Sequence, residues 1–236
     1  MIQKETTPVA PVHAIVIPSA SPLTLPKPYY ESGGITIYHS DCKNILPFID
    51  SVKAIIADPP YNVGYNYGGG VDDRMSVADY EVWCRTWFLM AKQKGGTVAV
   101  SPGIANLGVW HRIEEPRWIM CWRKGDSRGR CPVGWTKWEP VLLWGAMPKN
   151  IADTFDAPIQ PLDPQVVGHP CPKPLRWGAA LVDKLSDLGE TVCDPFMGSG
   201  TVLVAAKYAG RKAIGIEQNE EYCEMASKRL SQGVLF

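Results

Sequence analysis

Apolar and polar positions change their period several times along the chain. Residues Ile35-Thr36-Ile37-Tyr38-His39 alternate as a half-buried strand does, and Ser40-Asp41-Cys42 breaks the pattern before a short helix-like stretch near Ile45 to Ile49. A second apolar run, Val52 to Ala57, is stopped by Asp58-Pro59-Pro60, where two prolines cannot continue a ladder and turn the chain out of a sheet. Asp58 is thereby presented at a sheet edge. Residues 62–73 are polar and glycine-rich, with Gly68-Gly69-Gly70 at their centre, and read as a mobile loop that could serve as a lid. Val77 to Ala91 then carries Val77, Tyr80, Trp83, Trp87 and Met90 at helical intervals. Thr97 to Val100 follows as a core strand bounded by Gly95-Gly96 and Ser101-Pro102.

Residues 104–168 are less regular and heavy in Trp, Arg and Pro, with strands expected at Trp118 to Trp122 and Val141 to Trp144. Regularity returns with a helix near Leu175 to Leu188, a strand Thr191 to Asp194, a glycine turn, a helix Thr201 to Tyr208, a strand Lys212 to Glu217 and a helix Glu220 to Leu230. Repeated alternation of strand and helix predicts an α/β fold, a mostly parallel twisted sheet with helices on both faces.

A length of 236 residues suits one large domain with an insertion, burying roughly 70–75% of its unfolded surface. With 45% hydrophobic and 20% charged residues, and no apolar run near the ~18 residues of a membrane helix, a soluble protein without a membrane partner is expected. Residues 1–28 are rich in Pro, Ala and Ser and lack both helical periodicity and a continuous apolar stretch, so a flexible arm is expected there and no signal peptide. The remaining 29–236 would form the domain, with 104–168 as its insertion. Seven scattered cysteines without a C-x-x-C pair read as reduced, cytoplasmic thiols, and no metal site is expected. Formal charge is zero, so any nucleic-acid contact must come from a local basic face.

The strongest local signal is Asp194-Pro195-Phe196-Met197-Gly198-Ser199-Gly200-Thr201, a strand ending in an acid and a glycine turn opening a helix. Read alone, it also admits an ordinary strand-to-helix turn or a dinucleotide site. The latter is disfavoured because the spacing is not G-x-G-x-x-G and Asp194 would repel a pyrophosphate. S-adenosylmethionine suits it better: it carries a sulfonium, an ammonium and a ribose diol but no phosphate. Asp194 could take the amino group, and Glu217, one strand and helix later, the sugar hydroxyls. The second centre is Asp58-Pro59-Pro60-Tyr61. An exocyclic base amine is a poor nucleophile because its lone pair is delocalised, and acceptors for its protons favour a more reactive nitrogen. Asp58 and the Pro59 carbonyl could be those acceptors, Pro60 would help fix their geometry, and Tyr61 offers a ring on which an unstacked base can lie.

Together these two motifs resemble the amino-directed DNA methyltransferases. Catalytic motif first and cofactor motif last is similar to that family's beta order, a circular permutation of the Rossmann-like methyltransferase fold in which the intervening insertion recognises the target. His169-Pro170-Cys171-Pro172-Lys173-Pro174 resembles the family's segment before the cofactor turn, and Ser40-Asp41-Cys42 its adenine-contacting strand end. The resemblance implies a cofactor set of Asp41, Cys42, Lys173, Asp194, Pro195, Phe196, Gly198, Ser199, Gly200, Thr201 and Glu217, with Lys173 near the methionine moiety. Asp at the first catalytic position goes mainly with N6 of adenine in this family. N4 of cytosine is the alternative, followed by an RNA or protein methyltransferase and a non-catalytic DNA-binding module.

Between residues 112 and 137 seven Lys or Arg face three acids, interleaved with Trp118, Trp122 and Trp135. Arg123, Lys124, Arg128, Arg130 and Lys137 are the candidate contacts to double-stranded DNA. Residues 125–134 would order on binding. A monomer or homodimer would suffice, and the sequence does not reveal whether a restriction nuclease accompanies it. In-line transfer to the amine requires no covalent enzyme intermediate, so no essential cysteine is expected.

Overall fold

In the computed structural model, which describes residues 25–65, 73–125, 129–147, 152–159 and 172–232, the chain opens on a hairpin of β1 (Tyr30–Ser32) and β2 (Ile35–His39). The short helix α1 (Cys42–Ile45) leads to β3 (Val52–Ala57), α2 (Val77–Lys94) and β4 (Gly95–Val100). Next come α3 (Leu107–Ile113), β5 (Trp118–Arg123), a small hairpin of β6 (Arg130–Cys131) and β7 (Gly134–Trp135), then β8 (Trp138–Gly145) and β9 (Thr154–Asp156). The chain closes with α4 (Leu175–Leu185), β10 (Thr191–Asp194), α5 (Thr201–Tyr208), β11 (Lys212–Glu217) and α6 (Glu220–Ser231). Residues 1–24 of the expected arm and Gly68 to Gly70 of the expected lid lie outside the described residues.

Nine strands form one sheet in the order β1-β2-β11-β10-β3-β4-β8-β5-β9. Strands β2, β11, β10, β3 and β4 are mutually parallel, as the near-continuous apolar runs of β3 and β10 require when both faces are covered. Alternation along β3 shows the two coverings directly. Ala54 and Ile56 join the core beneath α4, α5 and α6, while Ile55 and Ala57 join the core beneath α1, α2 and α3. Local chemistry bounds the helices: Ser76 caps α2 by accepting from the Asp79 N–H, and Asn219 caps α6 through the Glu221 N–H.

Adjacent strands β3 and β10 send the chain in opposite directions. From β3 it crosses through α2 to β4 on one side; from β10 it crosses through α5 to β11 on the other. Such a divergence opens a crevice at the carboxyl ends of the two strands.

The expected insertion 104–168 requires a correction. Strands β8, β5 and β9 extend the same sheet, and Met120, Trp122, Val141 and Leu143 are core residues, so much of this segment belongs to the domain's body. Among its described residues only the β6–β7 hairpin forms a sheet of its own. Because β8 runs antiparallel to both β4 and β5, β5 delivers Arg123 to the same edge as the parallel strand ends. The helix expected to reach Leu188 stops at Leu185, where the Ser186 N–H and hydroxyl both bond to the Val182 carbonyl. No helix among the described residues is long and apolar enough to cross a membrane.

Gly215 in β11 has no room for a side chain: a Cβ would stand 2.5 Å from Met197 Sδ and 2.6 Å from Leu203 Cδ2. Gly215→Ala is therefore expected to destabilise the fold by about 1–3 kcal/mol, read as a lowered denaturation midpoint with unchanged m-value.

Candidate active site

The five parallel strands end at one edge, and each places a polar residue there. Asp41 follows β2, Glu217 ends β11, Asp194 ends β10, Asp58 follows β3 and Ser101 follows β4. Asp58 and Ser101 are neighbours by register, since Ala57 pairs with Val100. Between β3 and β10 lies a cleft of about 1030 Å³, its open mouth included.

One half of the cleft is built on the turn after β10. Gly198 and Gly200 take φ values of 48° and 81°, a left-handed path that side chains disfavour, and this path brings backbone N–H groups round to two carboxylates. The Phe196 N–H donates to Asp194 Oδ1 (3.0 Å), the Gly198 N–H to Glu217 Oε2 (3.0 Å) and the Asn219 N–H to Glu217 Oε1 (2.8 Å). Burial pushes Asp194 well above the usual carboxylate range, against which the Phe196 N–H is a partial offset. Burial also raises Glu217, opposed by the N–H groups of Asn219 and Gly198. Among the described residues no cation pairs with Asp194. Each Glu217 oxygen keeps a lone pair for a hydroxyl donor. Phe196, Met197, Ile216 and Tyr222 line the apolar wall. This half suits a ligand with a positive charge, hydroxyls and an apolar ring.

The other half centres on Asp58. The Tyr61 hydroxyl donates to Asp58 Oδ1 (2.8 Å) and lies 3.1 Å from Ser101 Oγ. The Lys173 ammonium donates to Tyr61 Oη (2.8 Å) and stands 3.0 Å from Asp58 Oδ1. Burial raises the Asp58 carboxyl, and Lys173 and Tyr61 oppose that rise. Tyr61 itself is held protonated by burial and by the neighbouring Asp58 charge. Two staples fix the loop: Asn106 Nδ2 donates to the Tyr61 and Pro102 carbonyls, and the Tyr80 hydroxyl donates to the Pro60 carbonyl (2.8 Å). Among the described residues the Pro59 carbonyl accepts no hydrogen bond, which leaves it an open acceptor beside Asp58. Beyond it, buried Asp73 accepts the N–H groups of Asn62, Val63 and Tyr65.

The cleft gathers Asp58, Pro59, Pro60, Tyr61, Cys42, Lys173, Asp194, Pro195, Phe196, Gly198, Ser199, Thr201 and Glu217. Gly200 lies beneath the turn, where an added Cβ would meet Ala226 at 2.8 Å. Asp41 stays outside the cleft lining: it caps α1 through the Lys43 N–H and pairs with the Lys43 ammonium. Lys173 touches both halves: its carbonyl accepts from Thr201 Oγ1 (3.2 Å) at the end of the Asp194 turn, and its ammonium bonds with the Asp58 group. Lys124 requires a correction as a DNA contact, since its side chain is only 7% exposed and its ammonium bonds to Glu139 (2.7 Å). Arg123 is exposed and pairs with equally exposed Asp156, and Lys137 is exposed. Arg128 and His169 to Cys171 lie outside the described residues, as does the Arg130 side chain. Sequence reasoning missed Ser101, Glu139, Gln218 and Tyr222. Ser101 could have been found by its strand-end position; Glu139, in a Trp-Thr-Lys-Trp-Glu-Pro run, carried no such signal.

Residues 136–228 match a family described as DNA methylase. A type II methyltransferase of Lactococcus lactis subsp. cremoris, M2.LlaDCHI, is 27% identical over 89% of this chain and 94% of its own length. The DNA adenine methyltransferase YhdJ of Escherichia coli (strain K12) is 27% identical over 83% of this chain and 82% of its own. The crystal structure of an M1.HpyAVI–SAM complex superposes with a TM-score of 0.63 at 22% identity, covering 84% of this chain and all of that one. Over most of its length the chain is similar to DNA methyltransferases.

Asp194 holds its proton more tightly folded than unfolded, so the folded state binds more protons and loses stability as pH rises from the ordinary carboxylate range through the raised value. Asp194→Asn removes that cost and keeps an acceptor for the Phe196 N–H. Differential scanning at about pH 7 should show the ligand-free variant melting a few degrees higher than wild type, with the gap narrowing toward about pH 4.

Proposed function

We propose that the chain moves a methyl group from S-adenosylmethionine to N6 of an adenine turned out of double-stranded DNA. One observation carries this reading: a buried Asp194, without a cation partner among the described residues, with Glu217 and the Asp58-Pro59-Pro60-Tyr61 acceptor group face each other in a single cleft. S-adenosylmethionine supplies an electrophilic methyl on a sulfonium. Asp194 takes its positive amino end, Glu217 its ribose hydroxyls, and the wall of Phe196, Ile216 and Tyr222 its adenine.

On the acceptor side, Asp58 and the Pro59 carbonyl take the two N–H protons of the target amine, and the Tyr61 ring stacks on the base. The hydrogen bonds that Asn106 and Tyr80 make to this loop hold the acceptors in place before substrate arrives, as near-attack alignment demands. Asp at position 58 and the likeness to a relative named as a DNA adenine methyltransferase favour adenine over cytosine. For DNA, Arg123 and Lys137 stand at the base of the β6–β7 hairpin, at the end of the sheet where the acids gather. The exposed Arg123–Asp156 pair is worth about 0–1 kcal/mol, so a phosphate can take the place of the aspartate. Flipping a base costs a few kcal/mol, which phosphate contacts and Tyr61 stacking offset.

Buried Cys42 and Cys193 have thiols pushed up by burial, which suits displacement without a cysteine nucleophile. The six cysteines among the described residues are all free, which suits a reducing cytoplasm.

Incubation with isotope-labelled S-adenosylmethionine and duplex DNA, RNA or protein, followed by nucleoside mass spectrometry, should show N6-methyladenine from DNA. N4-methylcytosine, or label only in RNA or protein, would overturn the assignment of the acceptor. Asp58→Ala should lower kcat at least about 100-fold and leave cofactor Kd within about threefold, whereas Asp194→Ala should raise that Kd first. Cys42→Ala and Cys193→Ala should keep kcat within about tenfold if the fold survives, by the same comparison of rates.

A further inference from the structure

Behind Asp58 lies a buried chain of charges that neither motif contains. Lys173 Nζ stands 3.0 Å from Asp58 Oδ1 and 3.6 Å from Glu139 Oε2, and Glu139 Oε1 accepts from Lys124 Nζ at 2.7 Å. The Lys173 ammonium is 5.3 Å from the centre of the Trp122 ring and 5.9 Å from that of Trp177, within reach of cation–π attraction. Its side chain is 11% exposed, so most of its polar partners are protein groups and little of it meets solvent. Among the described residues Glu139 Oε2 has no hydrogen bond of its own, a costly state for a buried oxygen, and it faces the ammonium at 3.6 Å. The groups around Asp58 come from four elements: Tyr61 from its own loop, Lys173 ahead of α4, Glu139 from β8 and Asp194 from β10.

We propose that Lys173 and Glu139 are positioning residues for methyl transfer, the Lys173 ammonium being shared between Asp58 and Glu139 so that the Asp58 carboxylate stays charged and aimed at the target amine. This rests on the methyltransferase reading above and deepens it. Burial alone favours a protonated Asp58, whose uncharged carboxyl is a weaker acceptor for the amine protons and carries an O–H donor of its own. Lys173 opposes that protonation, while Glu139 competes for the same ammonium and adds its own negative charge. The two residues therefore act on Asp58 with opposite signs. Burial also favours loss of the Lys173 proton, and Asp58, Tyr61 and Glu139 together outweigh it.

The test is the pH profile of single-turnover methyl transfer to duplex DNA, measured for wild type, Lys173→Met and Glu139→Gln, with cofactor Kd taken on each. The acid limb should move to higher pH in Lys173→Met and to lower pH in Glu139→Gln, each by about one unit, a tenfold rate change at fixed acidic pH. Cofactor Kd should stay within about threefold, the sign that the glycine turn is intact. A merely structural role would lower the plateau of both variants and leave both limbs in place, or move them the same way; either result overturns the proposal. Absence of transfer by wild type would instead overturn the reading on which it rests.

Discussion

Carboxylates buried at the end of a sheet demand positive charge, and the two central acids of this cleft meet that demand differently. Asp58 has an internal cation, Lys173, at 3.0 Å. Asp194 is 4% exposed and has one backbone N–H and no cation among the described residues. An ionised group in that state is costly, and the cost falls when a positively charged ligand arrives. The contrast separates the roles. Asp194 is completed by a cation from outside, whereas Asp58 is already neutralised and can turn its remaining acceptor capacity to a neutral amine.

That contrast exists only because of where the strands lie. β3 and β10 are far apart in sequence but paired in the sheet, Val192 opposite Ala54 and Cys193 opposite Ile55. Their helices cover opposite faces, so the loops after Asp58 and Asp194 part and leave room between them. The neighbouring strands complete the site at the same level: β11 brings Glu217 to the Gly198 N–H, and β4 brings Ser101 to the Tyr61 hydroxyl. On the far side, β8 and β5 contribute Glu139 and Trp122, which tie the site to the base of the β6–β7 hairpin.

Most of this architecture was legible in the chain. Strands at Ile35–His39, Val52–Ala57, Thr191–Asp194 and Lys212–Glu217 stand where the apolar pattern puts them, because buried parallel strands leave little choice of residue. Asp58 and Asp194 were readable as site residues because each stops an apolar run and is followed by proline. What escaped was long-range. Strands β5 and β8 carry Trp, Pro and charge among their apolar positions, so they resembled an insertion when they are part of the sheet. Lys124 lay in a basic run that resembled a solvated face, and only the pairing of β5 with β8 shows it turned inward against Glu139. Lys173 was legible as a site residue through the family resemblance, but its place among Tyr61, Trp122 and Trp177 was not.

The most direct examination of a single cleft with two ligand halves is a crystal structure of the chain grown with S-adenosylmethionine. The methionine end should lie at Asp194, the ribose at Glu217, and the methyl should point at the space between the Asp58 carboxylate and the Pro59 carbonyl, where an amine nitrogen could sit roughly 3–3.5 Å away. A bound molecule whose methyl faces away from Asp58, or one seated elsewhere with Asp194 still unpaired, would contradict it.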